Sequence, residues 1–264
     1  MSDISIVTAF FDIGRGDWTP EKGLPHYLHR TTDTYIERFG HLSKLENDMV
    51  VFTSVDLVDK IKPLTNKNTS IITIDFKNSF NELREKIKAV QSDPTFLSKI
   101  NPREVLNPEY WSPDYVLVNL LKSHFVKLAE PVVENELIAW VDFGYCRTES
   151  ALNGKTKWQY PFDKNKIHFF NLKEWVEGTY IQDVIANNDV HITGPCIIGG
   201  AEVWENLRLL VQHNTNELLK NNLIDDDQTL LLMSYLTKPD MFELHPVSKD
   251  DWFIVFKDYN ESVS

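Results

Sequence analysis

Two groups of acids stand where a folded chain could put them to use. The run Glu136-Leu-Ile-Ala-Trp-Val-Asp142-Phe-Gly144 is apolar and strand-like, and it stops on a carboxylate followed by a glycine. Further on, Ile224-Asp225-Asp226-Asp227-Gln228 opens an apolar pattern of helical period. In an open α/β sheet, groups delivered at the carboxyl ends of strands face the crevice where ligands bind. A carboxylate placed there can hold a hard divalent cation that bridges it to substrate phosphates. Asp142 is such a candidate, or else it caps a turn. Three adjacent acids cannot all be buried and ionised, so some of Asp225, Asp226 and Asp227 should face solvent. Helix capping accounts for one or two of them. The one left beside Gln228 is a candidate base for an acceptor hydroxyl.

Other residues could join such a site. The segment Thr193-Gly-Pro-Cys-Ile-Ile-Gly199-Gly200 gathers three of the ten glycines. Glycine there serves either close backbone approach to a ligand or a tight turn. Neither a G-x-G-x-x-G fingerprint nor a P-loop is present, so nicotinamide and NTPase readings lack their motif. Arg15, in the loop after the first strand, could pair with a diphosphate, as could Lys122 and Lys127; only Arg15 has a location that favours a site. His245, in Glu243-Leu-His245-Pro, is either a metal ligand or an ordinary hydrogen-bonded residue. Cys146 lacks a histidine nearby in sequence to activate its thiol. Trp111, Trp140, Trp175 and Trp204 could stack on sugars or fill the core.

These groups need a frame. Strands are expected at Ile4 to Phe10, Asp48 to Thr53, Ser70 to Phe76, Leu137 to Val141 and Ile167 to Leu172, with an extended segment from Asp189 to Ile198 closed by Gly199-Gly200. Later strands are expected near Met241 to Leu244 and Trp252 to Phe256. Helical patterns cover His26 to Phe39, a stretch with Phe80, Leu83, Ile87 and Val90 inward, Asp114 to Ala129, Glu202 to Leu219 and Asp227 to Leu236. Residues 148 to 166 are polar and read as a surface loop or flap. The alternation predicts an α/β fold, a mainly parallel sheet with helices on both faces and an antiparallel element in the last third.

A net charge of -12 excludes a protein that wraps nucleic acid, since no positive field would gather phosphates. A local cationic cavity remains compatible with it. The N-terminal Met1-Ser-Asp-Ile-Ser-Ile-Val lacks a basic segment, no apolar run reaches a spanning length, and the two cysteines suit a reducing compartment. A cytoplasmic protein is expected, at most peripheral on the inner membrane.

Three segments carry a resemblance: Ile6-Val-Thr-Ala-Phe-Phe-Asp-Ile-Gly-Arg15; Leu121-Lys-Ser-His-Phe-Val-Lys leading to Ala139-Trp-Val-Asp142-Phe-Gly; and Gly194-Pro-Cys-Ile-Ile-Gly-Gly-Ala through Asp-Asp-Asp227-Gln. Together they resemble the HtrL/YibB (WlaTC/HtrL) family of bacterial lipopolysaccharide gene clusters, and more broadly nucleotide-sugar glycosyltransferases of the GT-A type. The resemblance spans nearly the whole chain; the opening segment is specific, while the acidic motifs are widely shared. It implies one GT-A-like domain over 1–264, with a nucleotide-binding half (1–145) and an acceptor-side half (146–264). It implies transfer of a sugar, from UDP in the first instance, to a surface-glycan, lipopolysaccharide or lipid-linked acceptor. Thr8, Ala9, Phe10, Arg15, Asp142, Gly199 and Gly200 would hold the nucleotide sugar. Asp227, or failing it Asp226, would act as base. Asp142 matches the first acid of an Asp-x-Asp motif, but Gly144 stands where the second is expected. Mn²⁺ or Mg²⁺ would then rest on Asp142 with His245, or be dispensed with. Two alternatives use the same residues: a metal-dependent hydrolase of sugar-phosphate substrates, and a non-catalytic glycan or nucleotide binder.

Overall fold

The structure, a computed structural model, describes residues 3–250 and 252–256. Among them seven strands form one sheet: β1 (Ile4–Phe10), β2 (Met49–Thr53), β3 (Thr69–Thr73), β4 (Leu137–Val141), β5 (Ile167–Asn171), β6 (Ile192–Gly200) and β7 (Phe242–Pro246). Their order is β3-β2-β1-β4-β6-β5-β7. β6 runs antiparallel to both of its neighbours, and every other pairing is parallel. The fold is therefore α/β with a mainly parallel, mixed sheet.

β1 and β4 are buried along their whole length. Successive residues feed opposite faces, as the two-residue period of a strand demands. Val7, Ala9, Ile138 and Trp140 enter one core, and Ile4, Ile6, Ala139 and Val141 enter the other. The first face is covered by α2 (Asn81–Gln91), α3 (Pro113–Leu120), α4 (Lys122–Ala129), α6 (Ala201–Lys220) and α7 (Asp227–Thr237), with α5 (Ile181–Asn187) beside them. The second is covered by α1 (Thr32–Leu42) and by the segment carrying Leu152, Trp158 and Phe162.

That segment falls inside the stretch expected to be a surface flap, and it is tied down instead. Trp158 is buried; its N–H donates to Asn47 Oδ1 at 2.7 Å, and Asn47 Nδ2 donates back to Trp158 O at 2.8 Å. Four further expectations are corrected. Thr31 Oγ1 accepts from Thr34 N and starts α1 there, so His26–Leu28 is only a single 3-10 turn before it. The helical run of 114–129 breaks at Leu121, whose ψ of 0 ends α3 and lets α4 begin on Lys122. Residues 252–256 form turns rather than a strand. Gly199 and Gly200 continue β6 rather than closing it in a turn.

β1 pairs with β2 on one side and with β4 on the other. The chain reverses its direction of sheet growth between β1 and β4, and a crevice opens at the carboxyl ends of strands flanking such a point.

Candidate active site

A cavity of about 280 Å³ occupies that crevice, close to the smallest of the roughly 300–1,000 Å³ sites that hold small ligands. Ala9 and Phe10 reach it from the end of β1, Asp142 and Gly144 from the end of β4, and Gly194 from β6. Asp226 and Asp227 enter from the start of α7, and Lys122 from the start of α4.

Lys122 is the hub, 5% exposed and set at the break between two helices. Its Nζ lies 2.8 Å from Asp227 Oδ2 and 3.1 Å from Asp142 Oδ1, and donates to Gly194 O at 2.9 Å. Trp140 Nε1 also donates to Asp142 Oδ1, at 2.8 Å. Two acids far apart in sequence thus share one ammonium. Desolvation opposes a charged lysine, but the carboxylates of Asp142 and Asp227 outweigh it and hold the ammonium above its ordinary value of 10.5. Burial pushes the Asp227 carboxyl up, and Lys122 opposes that rise.

Arg15 alone was expected to have a location favouring a site, and the burial of Lys122 at the cavity corrects that. Lys127 is half exposed and paired with Glu130 on the surface. Asp225, Asp226 and Asp227 are only 4%, 9% and 5% exposed, so none faces solvent as expected. Each has its own work. Asp225 accepts from Thr229 Oγ1 at 2.6 Å, Asp226 caps α7 through Gln228 N at 3.0 Å, and Asp227 meets Lys122.

Burial raises the Asp225 carboxyl to about 7; burial, and then Asp225, raise nearby Glu109 to about 8. Both lie above their ordinary values of 3.8 and 4.5, so the fold prefers the protonated acids. The stability they contribute is complete below the ordinary carboxylate range and is lost as pH rises through 7 and 8. Glu109→Gln imitates the protonated form. It should raise the melting temperature near pH 8, by roughly 2–4 °C for each kcal/mol relieved, and leave it unchanged near pH 4. Parallel melting curves for variant and wild type at all pH values would remove this explanation.

The cavity is also rich in arginine. Of the seven at positions 15, 30, 38, 84, 103, 147 and 208, four line it: Arg15, Arg30, Arg38 and Arg147. Arg15 is held by Tyr35 Oη, which accepts from Nη1 at 2.8 Å, and by Leu28 O, which accepts from Nη2 at 3.2 Å. Its guanidinium lies over the rings of Trp18 and Tyr115, at 5.1 and 5.7 Å. Arg147 lies over Phe253 at 4.3 Å. Burial and then Arg30 lower Arg38; burial, Arg30 and Arg38 lower Arg147. Cations pressing on one another in a chain of net charge -12 mark a place prepared for an anion. Arg30, Arg38 and Arg147 escaped sequence reasoning; the one available signal was a cluster of arginines around the predicted strand ends.

The glycines divide. A Cβ on Gly194 would sit 2.0 Å from Asp227 Oδ2, so this glycine lets the carboxylate reach Lys122. Gly199 and Gly200 lie at the other end of β6, against Ile167 Cδ1 and Lys164 O, and do not line the cavity. Their close approach is to neighbouring chain rather than to a ligand. A Cβ on Gly144 would meet the Tyr35 ring at 3.0 Å, so any larger residue there must push that ring aside. Thr8 is an interior residue of β1 opposite Val51 and also stays outside the cavity.

His245 is not brought to Asp142. It sits on β7, three strands from β4, or on the order of 14 Å at about 4.8 Å per strand. Its Nε2 faces His168 Nδ1 at 3.0 Å. Cys146 is buried and its thiol is pushed up to about 12 by burial, which leaves no thiolate at neutral pH. Of the four tryptophans considered, only Trp140 lines the cavity; Trp252 does so as well. Trp204 is core, with Nε1 donating to Ile138 O.

Residues 2–261 match a family described as bacterial protein of unknown function (HtrL_YibB). The chain belongs to this family. It is also 41% identical over 262 residues to Protein HtrL of Escherichia coli (strain K12), covering 97% of this chain and 92% of that protein. The family brings no assigned activity, so function has to be argued from the cavity.

Proposed function

We propose that this member of the HtrL_YibB family is a glycosyltransferase, moving a sugar from a nucleoside-diphosphate donor, UDP in the first instance, to a bacterial surface-glycan or lipopolysaccharide acceptor. One observation carries this reading: a single cavity at the β1/β4 crevice holds four arginines together with a lysine-bridged pair of carboxylates. Guanidinium groups match phosphate oxygens in bidentate fashion, which suits the donor diphosphate and its departure. A second cavity of about 850 Å³ adjoins across Phe11, Asp12 and Ile13, over the ends of β2 and β3. The pair gives an extended donor room for nucleoside on one side and sugar on the other.

In this reading Asp227 accepts the proton of the acceptor hydroxyl as its oxygen bonds to the anomeric carbon. The bond from that carbon to the phosphate oxygen breaks, and its electron pair leaves with the diphosphate toward Arg15, Arg38 and Arg147. Lys122 holds Asp227 in place and bridges it to Asp142 alongside. The expected Mn²⁺ or Mg²⁺ finds a poor fit on these residues. Asp142 Oδ1, Asp227 Oδ2 and Gly194 O already converge on an ammonium, and His245 belongs elsewhere. No step is assigned to a metal. The acceptor would be met on the cytoplasmic face of the membrane; no helix among the described residues is long and apolar enough to cross one.

Nucleotide sugars should raise the melting temperature, with about 2.7 kcal/mol of stabilisation at a hundredfold excess over Kd. The double variant Arg38→Gln/Arg147→Gln should abolish the shift. If no common nucleotide sugar shifts the transition at millimolar concentration, with or without Mn²⁺, the proposal fails. Donor consumption that is equally fast without any acceptor would favour a hydrolase.

A further inference from the structure

Two imidazole nitrogens and the two oxygens of one carboxylate face one another on the sheet edge formed by β5 and β7, away from the cavity. His168 pairs with Glu243 in the parallel ladder, and Phe170 pairs with His245. The two-residue period of each strand therefore sets His168, Glu243 and His245 on one face. His168 Nδ1 lies 3.0 Å from His245 Nε2 and 3.7 Å from Glu243 Oε2, while His245 Nε2 lies 4.0 Å from Glu243 Oε1.

We propose that His168, Glu243 and His245 form a zinc site that clasps β7 to β5. Zinc binds imidazole nitrogen and carboxylate oxygen at about 2.0–2.2 Å in tetrahedral geometry, which places neighbouring ligand atoms about 3.3–3.6 Å apart. The observed separations of 3.0, 3.7 and 4.0 Å straddle that edge length. The orientation of His168 also fits. Its Nε2 faces Asp163 O at 2.9 Å, and a carbonyl can only accept, so the ring proton sits on Nε2. The Nδ1 lone pair then points at the centre of the triad. A ligating histidine that donates its other N–H to a carbonyl is the usual support for such a site. Phe162 packs 4.7 Å from the His168 ring and Phe170 packs 5.4 Å from that of His245, forming an apolar wall behind the donors. Glu243 is half exposed and leaves an entry path from solvent.

The position gives the ion a purpose. β7 is the outer strand of the sheet, with β5 as its neighbour. The chain after it delivers Trp252 and Phe253 to the cavity. An ion linking the two strands would fix the base of that segment. This inference does not depend on the proposed sugar transfer.

The test uses the full-length chain, stripped of metal with a chelator and freed of any histidine tag. Titrated with zinc, it should bind one ion per chain in the micromolar range or tighter, and its melting temperature should rise. Cobalt in place of zinc should give the intense visible bands of tetrahedral coordination. Glu243→Gln and His245→Ala should each weaken zinc binding at least tenfold. Glu243 is exposed, so its variant should melt with the wild type in chelator and report on ligation rather than folding. Absence of stoichiometric binding by the wild type would overturn the proposal, as would wild-type affinity in both variants. The two imidazoles would then share a plain hydrogen bond.

Discussion

Lys122→Met should destabilise the protein by about 3–5 kcal/mol at pH 7, the usual cost of removing one partner from a buried ion pair. The side chain it replaces is 5% exposed and faces two carboxylates. Methionine fills much of the same volume, so the loss should report charge rather than a cavity. Without the ammonium, Asp227 stays buried with Asp142 beside it and no cation bridging the two. Its carboxyl, already raised by burial, would rise further. An acid whose folded value is raised fits the fold when protonated, so the deficit should shrink as pH falls toward the ordinary carboxylate range. In the wild type, the stability held by the raised ammonium of Lys122 should persist through neutral pH and fade only above its ordinary value of 10.5. Urea unfolding of variant and wild type at pH 5, at pH 7 and above pH 10.5 measures both claims. A loss below about 1 kcal/mol at pH 7, within the range of surface pairs, would show that Lys122 is not the hub. Lys127→Met, on the exposed side of the same helix, is the control and should change little.

How much of this was legible in the sequence follows from the range of each interaction. β1 and β4 emerge with the boundaries expected, because an apolar run that stops at a loop is a local signal. Helix ends were read less well. Thr31 starts α1 five residues after the expected start, since a single side-chain cap outcompetes a periodic stripe that runs through it. The joining of Asp142 with the start of α7 required only that both sit at the crevice end of the sheet. Lys122 was harder: a buried lysine looks like any other in sequence, and only tertiary packing supplies its two carboxylates. Gly194, Gly199 and Gly200 look alike in a string of letters. They separate once β6 is seen to run antiparallel to β4, which puts Gly194 beside Asp142 and Gly200 opposite Leu137 at the far end. The insertion of β6 and β5 between β4 and β7 is equally nonlocal, and it is what carries His245 away from Asp142 and toward His168.

If Asp227 is the base, Asp227→Asn should lower sugar transfer by about 10²–10⁴-fold, the span that general base catalysis contributes, while donor affinity stays within a few-fold. Asparagine keeps the shape and can still accept from Lys122 through its amide oxygen, so the fold should survive. Gly194→Ala approaches the same atom from the other side. Its added carbon would lie 2.0 Å from Asp227 Oδ2 and 2.7 Å from Cγ, so the carboxylate must leave Lys122. The glycine variant should therefore reproduce most of the catalytic loss of Asp227→Asn with every titratable group still in place. Gly200→Ala supplies the contrast, since its added carbon would lie 2.5 Å from the backbone oxygen of Lys164, far from the cavity. That change should lower the melting temperature and leave turnover per folded molecule intact. Loss of transfer in Gly200→Ala but not in Gly194→Ala would place the chemistry somewhere other than Asp227.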